Sequence, residues 1–134
     1  SVVRAAQFVC RQAQIHSLHD PTEGGVATGL WEIARAAGVG LQVDLARVPI
    51  LPEAVTLCQL YGLDPLGTIA SGGLLATVAP ADASPLVSAC RAAGIPATQI
   101  GQVTPETGGV HEWHAQHGWT PLREFSADEV TKIF

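Results

Sequence analysis

Three short segments bring together residue types that could do chemistry. The first is His19-Asp20-Pro21-Thr22-Glu23-Gly24-Gly25, where a short extended run meets a helical pattern. Backbone N–H groups at a helix N-terminus attract anions, and paired glycines let a phosphate approach the main chain. Thr22 adds a hydroxyl, and His19 places a titratable ring beside the loop. The same residues also have a structural reading. Asp20 and Glu23 can cap their own helix, and Gly24 and Gly25 can allow close helix–sheet packing. Glu23 puts a negative charge in the first turn, where it already satisfies the helix dipole and disfavours a naked phosphate.

The second segment is Ala70-Ser71-Gly72-Gly73, just ahead of an apolar run. Glycines there bend the chain or expose N–H groups to a ligand. A tight turn or bulge is the ordinary alternative. The third is a histidine group, His111, His114 and His117, with Glu112 among them. A zincin helix needs a second histidine four residues after the first, and Ala115 stands there. In a strand, His111 and His114 point to opposite faces. No metal site is therefore expected. Nor does the chain carry Gly-x-Ser-x-Gly, a Walker loop or a cysteine beside a base, so no catalytic nucleophile is assigned.

The elements that must position these segments follow from periodicity. Val2, Ala5, Ala6, Val9, Cys10 and Ala13 predict a helix over 2–14. Ile15 to His19 reads as extended. Asp20 as N-cap, Pro21 at the first helical position and Glu23 in a capping box predict a second helix. Val26, Leu30, Ile33 and Ala37 form its buried stripe, and Gly38 ends it. Leu41 and Val43 alternate with Gln42 and Asp44 as a strand. Residues 53–61 read as a helix stopped by Gly62, and Leu63 to Gly67 as a turn. Leu74 to Val78 is a strand without polar alternation, expected to be covered on both faces. Ser84-Pro85 opens a fourth helix that ends at Gly94. Ala97 to Val103 is a strand, and Thr104 to Gly109 a turn-rich break. Residues 110–113 and 118–122 pair as a hairpin, and 127–133 form a last short helix. This order predicts an α+β domain, a mixed sheet packed with helices.

Composition narrows the function classes. The chain has 134 residues, 47% of them hydrophobic and only 14% charged, which suits one domain with a proper core. Such thin charge suggests that some apolar surface faces a partner. Net charge is −5, and Lys132 is the sole lysine among seven basic residues. That excludes a nucleic-acid face and a membrane-surface face, both of which need clustered cations. No apolar run reaches membrane-spanning length. Cys10, Cys58 and Cys90 are odd in number and widely spaced, which fits a reducing compartment. Each falls in a predicted helix, where a buried inert thiol is expected. Residues 1–15 are no signal peptide. With Ser1 first and no Met, the sequence reads as a fragment of a longer cytoplasmic protein.

A family pattern runs through these segments. His19-Asp20-Pro21-Thr22-Glu23-Gly24-Gly25-Val26-Ala27, Glu32-Ile33-Ala34, Gly62-Leu63-Asp64-Pro65-Leu66 and Ala70-Ser71-Gly72-Gly73-Leu74-Leu75-Ala76 occur in this order. Gly94-Ile95 and Ile100-Gly101-Gln102-Val103 follow. Over residues 1–104 the chain resembles the C-terminal domain of the AIR synthase superfamily. Within it, the chain resembles the branch of the carbamoyl-dehydrating hydrogenase maturation factor and that of AIR-synthase-related proteins of unassigned role.

The resemblance implies a two-domain, homodimeric, ATP- and magnesium-dependent enzyme acting on a small-molecule substrate. Its N-terminal ATP-binding domain would carry most nucleotide ligands, so this domain alone is expected to be inactive. Carried onto this chain, the resemblance puts Asp20, Thr22, Gly24 and Gly25 at the phosphate end of the cleft. His19 lies next to them, and Ser71, Gly72 and Gly73 lie beside. The alternative is a non-catalytic binding or regulatory domain that keeps the fold. Two departures bear on this. The maturation factor ends in a reactive cysteine, and no cysteine follows Cys90 here. It typically has a basic residue before the paired glycines, where this chain has Glu23.

Overall fold

The computed structural model of the chain describes residues 1–105 and 108–134. It opens with helix α1 (Val2–Gln12) and strand β1 (Ile15–His19). Helix α2 (Gly25–Ala37) and strand β2 (Gly40–Val43) follow, then a 3₁₀ turn at Leu45–Arg47 and helix α3 (Pro52–Tyr61). Strand β3 (Leu75–Val78), helix α4 (Pro80–Ala92) and strand β4 (Gly101–Thr104) come next. The hairpin β5 (Val110–His114) and β6 (Gly118–Pro121) and a 3₁₀ turn at Glu129–Lys132 close the fold.

The strands form two sheets. β1 and β3 pair antiparallel, with His19 opposite Leu75 and a bulge between Ile15 and Ser17. α1 and α4 cover this ribbon through Val9, Leu86 and Cys90, with Phe8, Ile15, Leu74 and Val78 packed around them. The second sheet runs β4-β2-β5-β6 and is mixed: β2 is antiparallel to β4 and parallel to β5. α2 lies on one face of it. Ala27, Leu30, Ile33 and Ala34 meet Leu41, Val43, Val110 and Leu122 in the main core. Burying a side chain such as Leu30 contributes about 2 kcal/mol. The other face carries Gln42 and Gln102, joined at 3.1 Å, and the edge-on pair Trp113–Trp119. The α+β expectation holds.

Several local expectations do not. α2 begins at Gly25, not near Asp20, and no side chain from the preceding loop caps it. Pro21 is instead wholly buried, which pins the loop as a packed segment rather than a first helical turn. The predicted stripe is narrower than expected: Leu30 and Ile33 are buried, Val26 is half-buried and Ala37 is exposed. β3 meets packed residues on both sides, Leu75 with the main core and Leu74 and Val78 with the α1–α4 cluster, but the cover is incomplete: its residues are at most half-buried and Ala76 is exposed. α4 starts at Pro80, with Pro85 inside it. Pro80 already suits the first helical position, and Pro85 lies early enough to cost one ladder bond without breaking the helix. β4 is shorter than the predicted 97–103 run, and the C-terminal helix is a single 3₁₀ turn. Cys58 and Cys90 are buried as expected, whereas Cys10 is exposed on α1. Part of the predicted 104–109 break, residues 106–107, lies outside the described residues.

Candidate functional site: two glycine loops and a C-terminal turn

The loop between β1 and α2 turns on two consecutive left-handed glycines. Gly24 has φ 75° and Gly25 has φ 65°, a region that side-chain-bearing residues rarely enter. The turn directs Thr22 O inward. It accepts from Gly25 N at 3.1 Å and from Ala70 N at 3.2 Å. Ala27 N donates to Leu66 O at 3.0 Å. The loop therefore lies against residues 64–70, main chain on main chain. A Cβ on Gly25 would stand 2.6 Å from Thr68 O and closer still to Leu66 O. A Cβ on Gly73 would stand 3.5 Å from the Pro21 ring. The two glycine motifs, far apart in sequence, thus form one patch.

Within this patch the named residues divide. Asp20, Thr22, Glu23, Ser71 and Gly72 are exposed at its rim. Pro21, Gly24 and Gly25 are buried beneath, and His19 and Gly73 are half-buried. His19 Nε2 lies 2.7 Å from Glu32 Oε2, within ion-pair distance if the ring is protonated. The Glu23 carboxyl is held below its ordinary value by its own backbone N–H and then by the Thr22 hydroxyl. Desolvation, and after it the Asp128 charge, oppose this without reversing it. Thr22 therefore helps keep an anion at the rim.

Sequence reasoning missed the third component. Asp128 and Glu129 are buried, at 8% and 3% exposure. Asp128 Oδ2 accepts from Gly24 N at 2.8 Å, and Oδ1 accepts from Val130 N at 2.9 Å. Glu129 Oε2 accepts from Asp64 N at 3.0 Å and from Lys132 Nζ at 2.5 Å. Glu129 N donates to Gly67 O at 3.0 Å. Asp64 also organises its own turn, accepting from Leu66 N at 2.9 Å. The sequence signal was slight: an acidic pair opening a short C-terminal helix, with nothing to tie it to α2.

These bonds decide what the loop can hold. The N–H groups of Gly24, Gly25 and Ala27 go to Asp128, Thr22 O and Leu66 O. A bare phosphate seated on the start of α2 would have to displace them, so it does not fit there. The rim presents exposed polar groups: the Asp20 carboxylate, the Ser71 hydroxyl and the open turn at Gly72, whose φ is 99°. The histidines form no comparable centre. His114 Nε2 lies 3.2 Å from Glu112 Oε2, and among the described residues no three metal-binding side chains converge. Burial pushes the Cys90 thiol up, which keeps it unreactive.

A half-covered mixed sheet with one packed helix, joined to a two-stranded ribbon and two apposed glycine loops, makes this an α+β domain. Residues 1–114 match the family model "AIR synthase related protein, C-terminal domain", and the chain belongs to that family. The carbamoyl dehydratase HypE of Cupriavidus necator is 43% identical over 100 residues, covering 73% of this chain and 28% of that protein. The crystal structure of E. coli HypE, a hydrogenase maturation protein, superposes with a TM-score of 0.83 at 26% identity. It covers 99% of this chain and 42% of its own. A HypE structure in complex with ATP superposes at 0.76 with 30% identity, covering 93% of this chain and 39% of its own. The chain thus spans about a quarter of the curated relative and two fifths of the solved ones. Among the described residues, no helix is long and apolar enough to cross a membrane.

Proposed function

We propose that this chain is the substrate- and phosphate-side domain of a two-domain, ATP-dependent enzyme of the AIR synthase type. A partner N-terminal domain supplies most nucleotide and magnesium ligands, and the whole works as a homodimer on a small molecule in the cytoplasm. Family membership and the ATP-bound HypE relative support this. The observation that carries it is the Ala70 N to Thr22 O bond, which joins the two glycine loops into one patch.

In this reading the rim residues Asp20, Thr22, Ser71 and Gly72 face the nucleotide, with His19 behind them. Gly24, Gly25 and Gly73 shape the loops from beneath. Glu23 and Asp20 make the rim anionic, which suits a magnesium-bound phosphate better than a free one. ATP supplies the activating phosphoryl group; this chain's residues orient it and shield it from water.

A second reading, a regulatory domain without turnover, draws on the engagement of the Gly24 amide, just ahead of α2, by Asp128. The test is a chimaera in which residues 1–114 replace the matched segment of the Cupriavidus necator relative. ATP hydrolysis should persist, and the double variant T22A/S71A should lower it about tenfold with folding intact. A folded chimaera that binds ATP without turnover favours the regulatory reading. Turnover untouched by T22A/S71A removes the loops from the site.

A further inference from the structure

Buried carboxylates are costly unless their oxygens are filled, so their placement is informative. Asp128 and Glu129 are adjacent, both buried, and neither serves the hydrophobic core. Asp128 binds the last amide of the β1–α2 loop, Gly24 N, at 2.8 Å. Glu129 binds the Asp64 amide at 3.0 Å through its side chain and Gly67 O at 3.0 Å through its own N–H. One short turn therefore grips both sides of the two-loop patch. Lys132 fixes the Glu129 carboxylate from the outer side at 2.5 Å. Phe125, just upstream, lies against Gly67, where an added Cβ would meet its ring at 2.6 Å or less. Phe125, Asp128, Glu129 and Lys132 all lie beyond residue 114, where the family match ends.

We propose that Asp128 and Glu129 are positioning residues: the C-terminal turn is a clasp that holds the first glycine loop in register with the 64–70 segment leading into the second, and completes the site from behind. Asp128 acts as a built-in anion at the start of α2. It takes the place a ligand anion would otherwise compete for, and it confines nucleotide contact to the rim. The clasp rests on the loop reading above only for its effect on nucleotide. Its mechanical claim, that this loop and the 64–70 segment move together, stands on the hydrogen bonds alone. A disturbance at Asp128 must then be felt at residues 64–70, and one at Glu129 must be felt at Gly24.

Amide hydrogen exchange on the ¹⁵N-labelled chain reads this directly. Asp128→Ala should speed exchange about tenfold at Gly24 and also at Ala70, the scale of one charge-assisted hydrogen bond. Exchange at Leu41 and Val43 in the main sheet should not change. Glu129→Ala should speed Asp64 and also Gly24. Asp128→Asn keeps an acceptor oxygen in place and should recover most of the protection; if the alanine variants do not fold, Asp128→Asn and Glu129→Gln carry the same comparison at smaller amplitude. Acceleration confined to the loop that lost its carboxylate overturns the clasp, as does a uniform rise that includes Leu41 and Val43. Titration with magnesium-ATP, together with the chimaera, separates the two proposals. Coupled exchange without any nucleotide shift at the rim leaves the clasp standing and leaves the loop reading to the T22A/S71A chimaera, because the partner domain supplies most nucleotide ligands. Nucleotide shifts at Thr22 and Ser71 that survive Asp128→Ala unchanged, with uncoupled exchange, overturn the clasp and leave the loop reading standing.

Discussion

The two glycine pairs, Gly24-Gly25 and Gly72-Gly73, look alike in sequence and sit in opposite surroundings. At Gly25 the backbone of residues 66–68 occupies the space a side chain would need. At Gly72 a Cβ would meet nothing within 4 Å. Both have positive φ, so both favour glycine for conformation. Of these two positions only Gly25 is also required for packing; at Gly73, beside Gly72, a Cβ would press on Ala70 O at 3.1 Å. A glycine pair beside a helix start is thus an ambiguous signal: the first pair is a hinge pressed into the fold, and the second is an open turn at the rim.

The largest expected effect breaks the packed pair. Gly25→Ala combines a strained left-handed conformation with a collision against two main-chain oxygens that cannot step aside. It should destabilise the chain by about 3 kcal/mol or more, read from urea unfolding. Gly24→Ala comes next. Its Cβ would stand 2.9 Å from Thr28 Cβ and closer still to the Thr28 hydroxyl; the hydroxyl can rotate away, but Thr28 Cβ is fixed by the helix and the backbone must give slightly. A cost of about 2 kcal/mol is expected, from the positive φ together with this contact. Equal costs at the two positions would show that conformation alone sets the requirement.

How much of this was legible in the sequence depends on the range of the cause. Gly38 and Gly62 end α2 and α3 as expected, each left-handed, because a helix stop is a local event. The pairing of the β5–β6 hairpin was legible for the same reason. The start of α2 was misread because Asp20-Pro21-Thr22-Glu23 satisfies every local rule for a cap. Tertiary contacts won: Pro21 is buried, and the cap role passed to a carboxylate over a hundred residues away. The family pattern could mark Thr22 and Ala70 as belonging together; only the fold reveals the bond between them.

Acid sharpens the contrast, because the packed pair is held by ionised carboxylates and the open pair is not. The Glu129 carboxyl lies below its ordinary value of 4.5, first through the Lys132 ammonium and then through the Asp64 N–H. A depressed carboxyl contributes stability that is complete above its unfolded value and is lost as pH falls through the folded one. Melting temperature should therefore hold down to about pH 4.5 and drop below it. Glu129→Gln should flatten that acid limb and lower the neutral plateau. The plateau alone falling, with the same acid slope, would assign the slope to other carboxylates.

The smallest expected effect lies at the open pair. Gly72→Ala meets no atom, so only its φ of 99° opposes the change, at about 1 kcal/mol. That mildness makes it the sharper probe of function. If the turn at 71–73 is a fold device like Gly25, nucleotide affinity should follow stability and barely move in a chain that stays folded. If the turn faces the ligand, the methyl group projects into the space the nucleotide needs, and magnesium-ATP affinity should fall about tenfold while the unfolding midpoint hardly shifts. Affinity and stability moving in proportion would make the second glycine pair the same kind of object as the first.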